Sequence, residues 1–158
     1  MINTPYCTTI PTIAELENYV GKELGLSDWV TITQERIDQF ATATEDFQWI
    51  HTDPKRAAIE SPYGTTIAHG FLVLSLASSF AYAAYQLGDF EMGVNYGLDK
   101  VRFPNATKVN SQIRGRVSLT SYEAIEKGAK FKLTIVFELR GESKPACVAD
   151  FLAIAYAK

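Results

Sequence analysis

Residues 70–87 read GFLVLSLASSFAYAAYQL, and the way this stretch folds decides the architecture. It contains no charged residue, and its apolar side chains, from Phe71 and Leu72 through Phe80 to Tyr82 and Tyr85, cover every side of a helical wheel. A helix apolar all round is either enclosed by protein or crosses a bilayer. About 18 residues is the lower limit for a span. Ser75, Ser78, Ser79 and Gln86 interrupt the stretch, and no Lys or Arg lies close to either end, as anchoring at a membrane interface would favour. The stretch therefore reads as one long helix, Gly70 to Leu87, wrapped by protein.

The wrapper lies downstream. Val94-Asn95-Tyr96 and Leu98 to Phe103 read as β segments separated by Gly97. Ser111 to Ser121 alternates through Ile113, Gly115, Val117 and Leu119, and Ala129 to Leu139 through Phe131, Leu133, Ile135 and Phe137. That period of two is the mark of a strand with one buried face. Pro145 to Ala157 is a final apolar run, and Gly128 suits the tight reversal between the two alternating strands. Antiparallel strands following a buried helix predict an α+β fold in which a curved antiparallel sheet wraps a long central helix.

Upstream, Thr12 to Val20 places Ile13, Leu16 and Val20 on one face of a short helix that Thr12 can cap. Trp29 to Thr33 reads as a short β segment. Thr33 can then cap a second helix, Gln34 to Thr44, with Ile37, Phe40, Ala41 and Thr44 at helical spacing. That helix delivers Glu45-Asp46 at its C-terminal end, where partial negative charge makes carboxylates poorly placed. Asp53-Pro54 is a good helix start, because Asp can cap free amides and Pro at the first position forfeits no hydrogen bond. Asp53 is accordingly read as a cap, the helix runs from Pro54 to Ile59, and Ser61-Pro62-Tyr63-Gly64 opens a loop to His69.

A chain of 158 residues, 47% of them hydrophobic, is read as one domain, 1–158, with material for a sizeable core. Net charge is −3 and no basic cluster exceeds the Lys55-Arg56 pair, so no nucleic-acid partner is expected. Cys7 and Cys147 lie near opposite ends with no Cys/His cluster at zinc spacing, so neither a disulfide framework nor a metal is indicated. They read as reduced thiols of a cytoplasmic protein. The opening MINTPYCTTIPT lacks the basic start and apolar run of a secretory signal, in keeping with that compartment. No cofactor motif is present.

The two histidines of the chain, His51 and His69, both lie between the second helix and the central one. Imidazole is the side chain best suited to moving a proton near neutral pH. Asp46 precedes His51 by five positions, which on a continuous helix would point the two apart. In a bend after a helix they could face one pocket and hold a water between them. Spacing alone favours a helix-end Asp beside a hydrogen-bonded His, and it leaves both readings open.

Asp46-Phe47-Gln48-Trp49-Ile50-His51 followed by Asp53-Pro54, then Ile67-Ala68-His69-Gly70 and a serine-bearing apolar helix, resembles the MaoC-like (R)-specific enoyl-CoA hydratases, in particular their NodN-like branch. Asn95 to Pro104, NYGLDKVRFP, is similar to that branch too, and the likeness runs from about Trp29 to the C-terminus. The resemblance implies a hot-dog fold, a homodimer with substrate entering near the subunit interface, and a place in fatty acid metabolism. It implies hydration of a trans-2-enoyl thioester, of CoA or of an acyl carrier, to a (3R)-3-hydroxyacyl thioester, or the reverse. By matching position it implies that Asp46 and His51 hold and activate the water; the chemistry then assigns Asp46 as the base and His51 as its partner in holding the water and moving the proton. It further implies that Gly70 offers its N–H to the thioester oxygen and that Ser78 lies beside the pair. His69 is read as a packing or loop-fixing residue near the site rather than a proton donor. Two departures from the wider family stand out. Gln48-Trp49-Ile50 replaces Asn-Pro-Leu, and Asn110-Ser111 replaces a Gly-Asp turn, which Asn can sustain in a left-handed conformation. A hot-dog thioesterase and a non-catalytic acyl-thioester-binding protein are the rival readings.

Overall fold

Alternation and helix punctuation divide the chain into eight strands and five helices in the computed structural model, which describes residues 3–158. Met1 and Ile2, the start of the segment read for a targeting signal, lie outside the described residues. The order is β1 (Tyr6–Ile10), a 3-10 turn (Ala14–Tyr19), β2 (Glu23–Leu26), β3 (Val30–Thr31), α1 (Gln34–Thr44), α2 (Trp49–Thr52), α3 (Pro54–Glu60), α4 (Gly70–Ser75), α5 (Ala77–Ala84), β4 (Tyr85–Leu87), β5 (Phe90–Arg102), β6 (Gln112–Ile125), β7 (Gly128–Leu139) and β8 (Cys147–Ala157).

One sheet runs β4-β1-β2-β6-β7-β8-β5, with β3 also paired to β6. All pairings are antiparallel except β1 with β4, which is parallel. The long strands β6, β7 and β8 turn alternate side chains inward, and Val117, Leu119, Ile135 and Phe137 close over Phe80 and Ala81 of α5. Phe80 meets Phe137 edge to face at 5.5 Å. Burial of a side chain of that size stabilises by about 1.5–3 kcal/mol. On the sheet's other face the buried Arg114 and Arg116 both bond to Glu138, at 2.7 and 2.6 Å.

The central stretch departs from the expected single helix. The Ser75 hydroxyl donates to the Leu72 carbonyl at 2.6 Å, and the Leu76 N–H turns to Val73 instead, so α4 ends there and α5 begins at Ala77. A serine bonding back onto its own helix commonly does this. Tyr85 to Leu87, expected as the helix end, pair with Thr8 to Ile10 as strand β4. Nor is the stretch enclosed on all sides: Phe71 and Tyr82 are 71% and 67% exposed. Among the described residues no helix is long and apolar enough to cross a membrane.

Smaller expectations divide. Thr33 caps α1 by accepting from the Arg36 N–H, and Asp53 caps α3 by accepting from the Arg56 N–H. The Thr12–Val20 segment is a 3-10 turn; Thr12 accepts from the Glu15 N–H as a cap would, Ile13 and Leu16 are buried, and Val20 is exposed. The two β segments around Gly97 form one strand with an irregular register there. At the β6–β7 hairpin the left-handed residue is Lys127 (φ 60°), while Gly128 lets the β8 backbone at Ala155 lie where a Cβ would stand. Asn110 is left-handed (φ 65°), as its turn requires. Both cysteines are free, and burial pushes the Cys147 thiol up to about 12.

Gly115 has a steric duty, because a Cβ there would collide with the Phe80 ring. Gly115→Ala is expected to lower the unfolding free energy by about 1–3 kcal/mol, the usual cost of overpacking, as measured by denaturant titration. A wild-type midpoint would show that Phe80 can move aside.

Candidate active site

Helix α1 stops at Thr44, and Glu45 takes up a left-handed conformation (φ 60°) that turns the chain sharply. The turn leads Asp46 past the helix end, and the one-turn helix α2 then carries His51 inward. The Asp46 side chain is 53% exposed, whereas His51 and His69 are buried. Gln34 of α1 holds the region together: its Nε2 donates to the His51 carbonyl at 2.7 Å, and its Oε1 accepts from the Thr66 hydroxyl at 2.6 Å. Thr66 to Ala68 runs extended against Thr107 to Val109, with the Ala68 N–H donating to the Thr107 carbonyl and the Val109 N–H to the Thr66 carbonyl.

Two carbonyl oxygens fix the histidine tautomers, because a carbonyl only accepts. His51 Nδ1 lies 2.7 Å from the Ile67 carbonyl, so Nδ1 carries the hydrogen and Nε2 is the bare nitrogen. His69 Nε2 lies 2.9 Å from the Asp46 main-chain carbonyl and 4.0 Å from its Oδ2, so the hydrogen is on Nε2. Among the described residues His69 Nδ1 is buried with no partner. The two rings stack at 3.8 Å with 28° between their planes, and Phe40 packs against His69 at 5.1 Å. Burial pushes the His51 imidazole below the ordinary histidine value, and His69 adds to the effect, against the Ile67 bond and the Asp46 charge. His51 is thus neutral at neutral pH, with Nε2 free to accept.

Asp46, His51 and His69 each offer an atom within 4.8 Å of the others. A cation held through His69 Nε2 would have to displace the hydrogen that bonds to Asp46. The arrangement instead suits a water, which has two hydrogens to give to two acceptors, a carboxylate oxygen and His51 Nε2.

His51 also lines a cavity of about 270 Å³ whose other walls include Tyr63, Gly70, Val73, Phe103 and Thr107. Gly70 opens α4, so its N–H has no partner within the helix. The Phe103 ring lies across Gly70, 3.3 Å from where a Cβ would stand, so any larger residue would press on that ring.

Asp46, His51, His69 and Gly70 therefore lie within one locality. Ser78 lies on α5, past the break at Leu76, where its hydroxyl accepts from Asn95 Nδ2 at 3.3 Å in a groove between α5 and β5. Gln34, Phe103 and the Ile67 carbonyl were not visible as site groups in the sequence. Each acts through a partner distant along the chain, and only the cap at Thr33 gave any signal for the position of Gln34.

Comparison with known proteins agrees with this architecture. The family profile described as MaoC like domain matches residues 15–138. 3-Hydroxyacyl-thioester dehydratase Z of Mycobacterium tuberculosis is 45% identical over 143 residues, covering 90% of this chain and 94% of that protein. Nodulation protein N of Rhizobium leguminosarum bv. viciae is 44% identical over 147 residues, covering 90% of each. Among solved structures, R-hydratase PhaJ1 from Pseudomonas aeruginosa superposes with a TM-score of 0.74 at 20% identity, covering 93% of this chain and 86% of that one. An (R)-hydratase from A. caviae gives 0.67 at 21%, covering 80% and 89%. The shared fold is the hot-dog.

Proposed function

The chain belongs to the MaoC-like domain family, and on that premise we propose that it is a hydratase/dehydratase that adds water to a trans-2-enoyl thioester, giving the (3R)-3-hydroxyacyl thioester. The observation that carries the reading is the pairing, within 4.8 Å, of an exposed carboxylate, Asp46, with His51, a neutral imidazole whose Nδ1–H is taken up by the Ile67 carbonyl and whose Nε2 is left bare. The relative named as a 3-hydroxyacyl-thioester dehydratase, at 45% identity, supports the substrate class.

In the forward direction the water oxygen bonds to C3 of the substrate. Its proton passes to the pair, with Asp46 as the base and His51 as the second acceptor that orients the water. The C2=C3 electron pair moves toward the thioester oxygen, which the Gly70 N–H and the positive end of α4 stabilise. A proton from the pair then reaches C2, and the pair returns to its starting state. The two groups titrate as a unit. Such substrates are intracellular metabolites, so the proposed setting is cytoplasmic fatty-acyl metabolism.

Crotonyl-CoA is the direct test: hydration removes the absorbance of its conjugated thioester. Release of free thiol without hydration would replace this reading with a thioesterase, and tight binding without turnover would replace it with a binding protein.

The proposed assembly is a homodimer. Strand β5 is an unpaired sheet edge among the described residues, and exposed apolar side chains border it: Tyr82 shares a groove with Val94, and Leu98 another with Leu74. Edges and apolar bands of this kind are ordinarily covered. Sedimentation at micromolar concentration is expected to give a dimer, and the double substitution Tyr82→Glu, Leu98→Glu a monomer. A monomeric wild type would refute the assembly.

A further inference from the structure

The proton transfers described above make no use of His69, yet the structure gives it more contacts with the pair than a packing residue needs. Its ring is 3% exposed and lies against His51 and Phe40. Phenylalanine would fill the same volume without leaving a buried nitrogen unpartnered, which costs free energy in its own right. The imidazole therefore earns its place through Nε2, whose hydrogen bond reaches the main chain of Asp46 just past the helix end.

We propose that His69 is the positioning residue of this site: it fixes the Asp46 backbone through Nε2–H and the plane of the His51 ring by stacking, and so sets the gap in which the two groups share a water. The inference rests on the hydratase reading and assigns His69 no proton transfer. Asp46 is exposed on a turn, so without this bond its carboxylate has little else to hold it: among the described residues its Oδ1 accepts only a long 3.4 Å bond from the Gln48 N–H. The ionisable groups facing His51 are His69 and Asp46, and those facing His69 are His51 and Asp46.

Two variants separate positioning from packing. His69→Phe keeps the ring and the stack but has no donor, and His69→Gln keeps an N–H near the place of Nε2 but has no ring. His69→Phe is expected to stay folded by circular dichroism and to lose roughly 10²-fold in kcat on crotonyl-CoA with little change in KM, the scale of a small misplacement at a reacting centre. The acid limb of its pH profile is expected at higher pH, because one influence that lowers His51 has gone. His69→Gln is expected to regain about tenfold of that loss. A His69→Phe enzyme with wild-type rate and wild-type pH profile would overturn the proposal, as would a His69→Gln enzyme no faster than it. Should the wild type hydrate no enoyl thioester, the hydratase reading fails on its own, and nitrogen-15 spectra of the imidazoles still decide the role of His69. A neutral Nε2–H ring at His69, with His51 signals that shift in His69→Phe, upholds it; a Nδ1–H ring overturns it.

Discussion

Asn in place of Asp46 is expected to leave crotonyl-CoA hydration about 10²–10⁴-fold below wild type, the range ascribed to a positioned general base. Asn has the shape of Asp and can still accept from the Gln48 N–H, so the turn survives while the basicity is lost. The Asp46 side chain is half exposed, and substitutions at such positions usually change stability by no more than about 0.5 kcal/mol. The melting temperature therefore stays at the wild-type value, which separates a chemical loss from unfolding. Absorbance assays and a thermal melt on the same preparation check both parts, and full activity in Asp46→Asn would refute the assigned base.

His51→Asn carries the second large effect. An Asn amide can replace Nδ1 as donor to the Ile67 carbonyl, but nothing replaces Nε2, so the fold is kept while the second acceptor for water is removed. A loss of about 10²–10⁴-fold in kcat is expected. The same residue sets a pH dependence whose sign is fixed. Burial holds His51 below the ordinary value, about 6.5, so it stays neutral in the folded protein while the unfolded chain takes up a proton. Below about pH 6.5 the unfolded state binds more protons, and stability falls as pH falls. Above that pH the contribution is fully present. In the wild type the active, unprotonated form persists somewhat below pH 6.5, and His51→Asn loses that portion of the acid-side fall in stability. Denaturant midpoints from pH 5 to 8 check this. An identical pH slope in both proteins would contradict the buried, neutral imidazole.

Much of this site is legible along the chain because its parts are local. The Thr33 cap, the helix it starts, the Asp53-Pro54 entry and the alternation in β6 to β8 depend on neighbours a few residues away, and they formed as expected. The Asp46–His51 spacing was ambiguous by itself, since its meaning turned on the left-handed Glu45 that ends α1. What stayed hidden depends on distant partners. Leu76 looks as helical as its neighbours, and the break there arises from the Ser75 hydroxyl competing for the Leu72 carbonyl. Tyr85 to Leu87 leave the helix because β1, more than seventy residues earlier, offers them a strand. The tautomers of both histidines depend on carbonyls at Ile67 and Asp46, which no spacing reveals. The Asn95 contact of Ser78 likewise comes from β5, seventeen residues on, and no spacing reveals it.

The proposed reaction requires one water, shared by Asp46 and His51, to be delivered to C3 of an enoyl thioester. Incubation with crotonyl-CoA in oxygen-18 water, followed by mass and chiral analysis, tests this most directly. The predicted product is (3R)-3-hydroxybutyryl-CoA with the thioester intact and one labelled oxygen on C3, formed by the wild type and not by Asp46→Asn. Unchanged crotonyl-CoA, or labelled crotonate with free CoA, would contradict it.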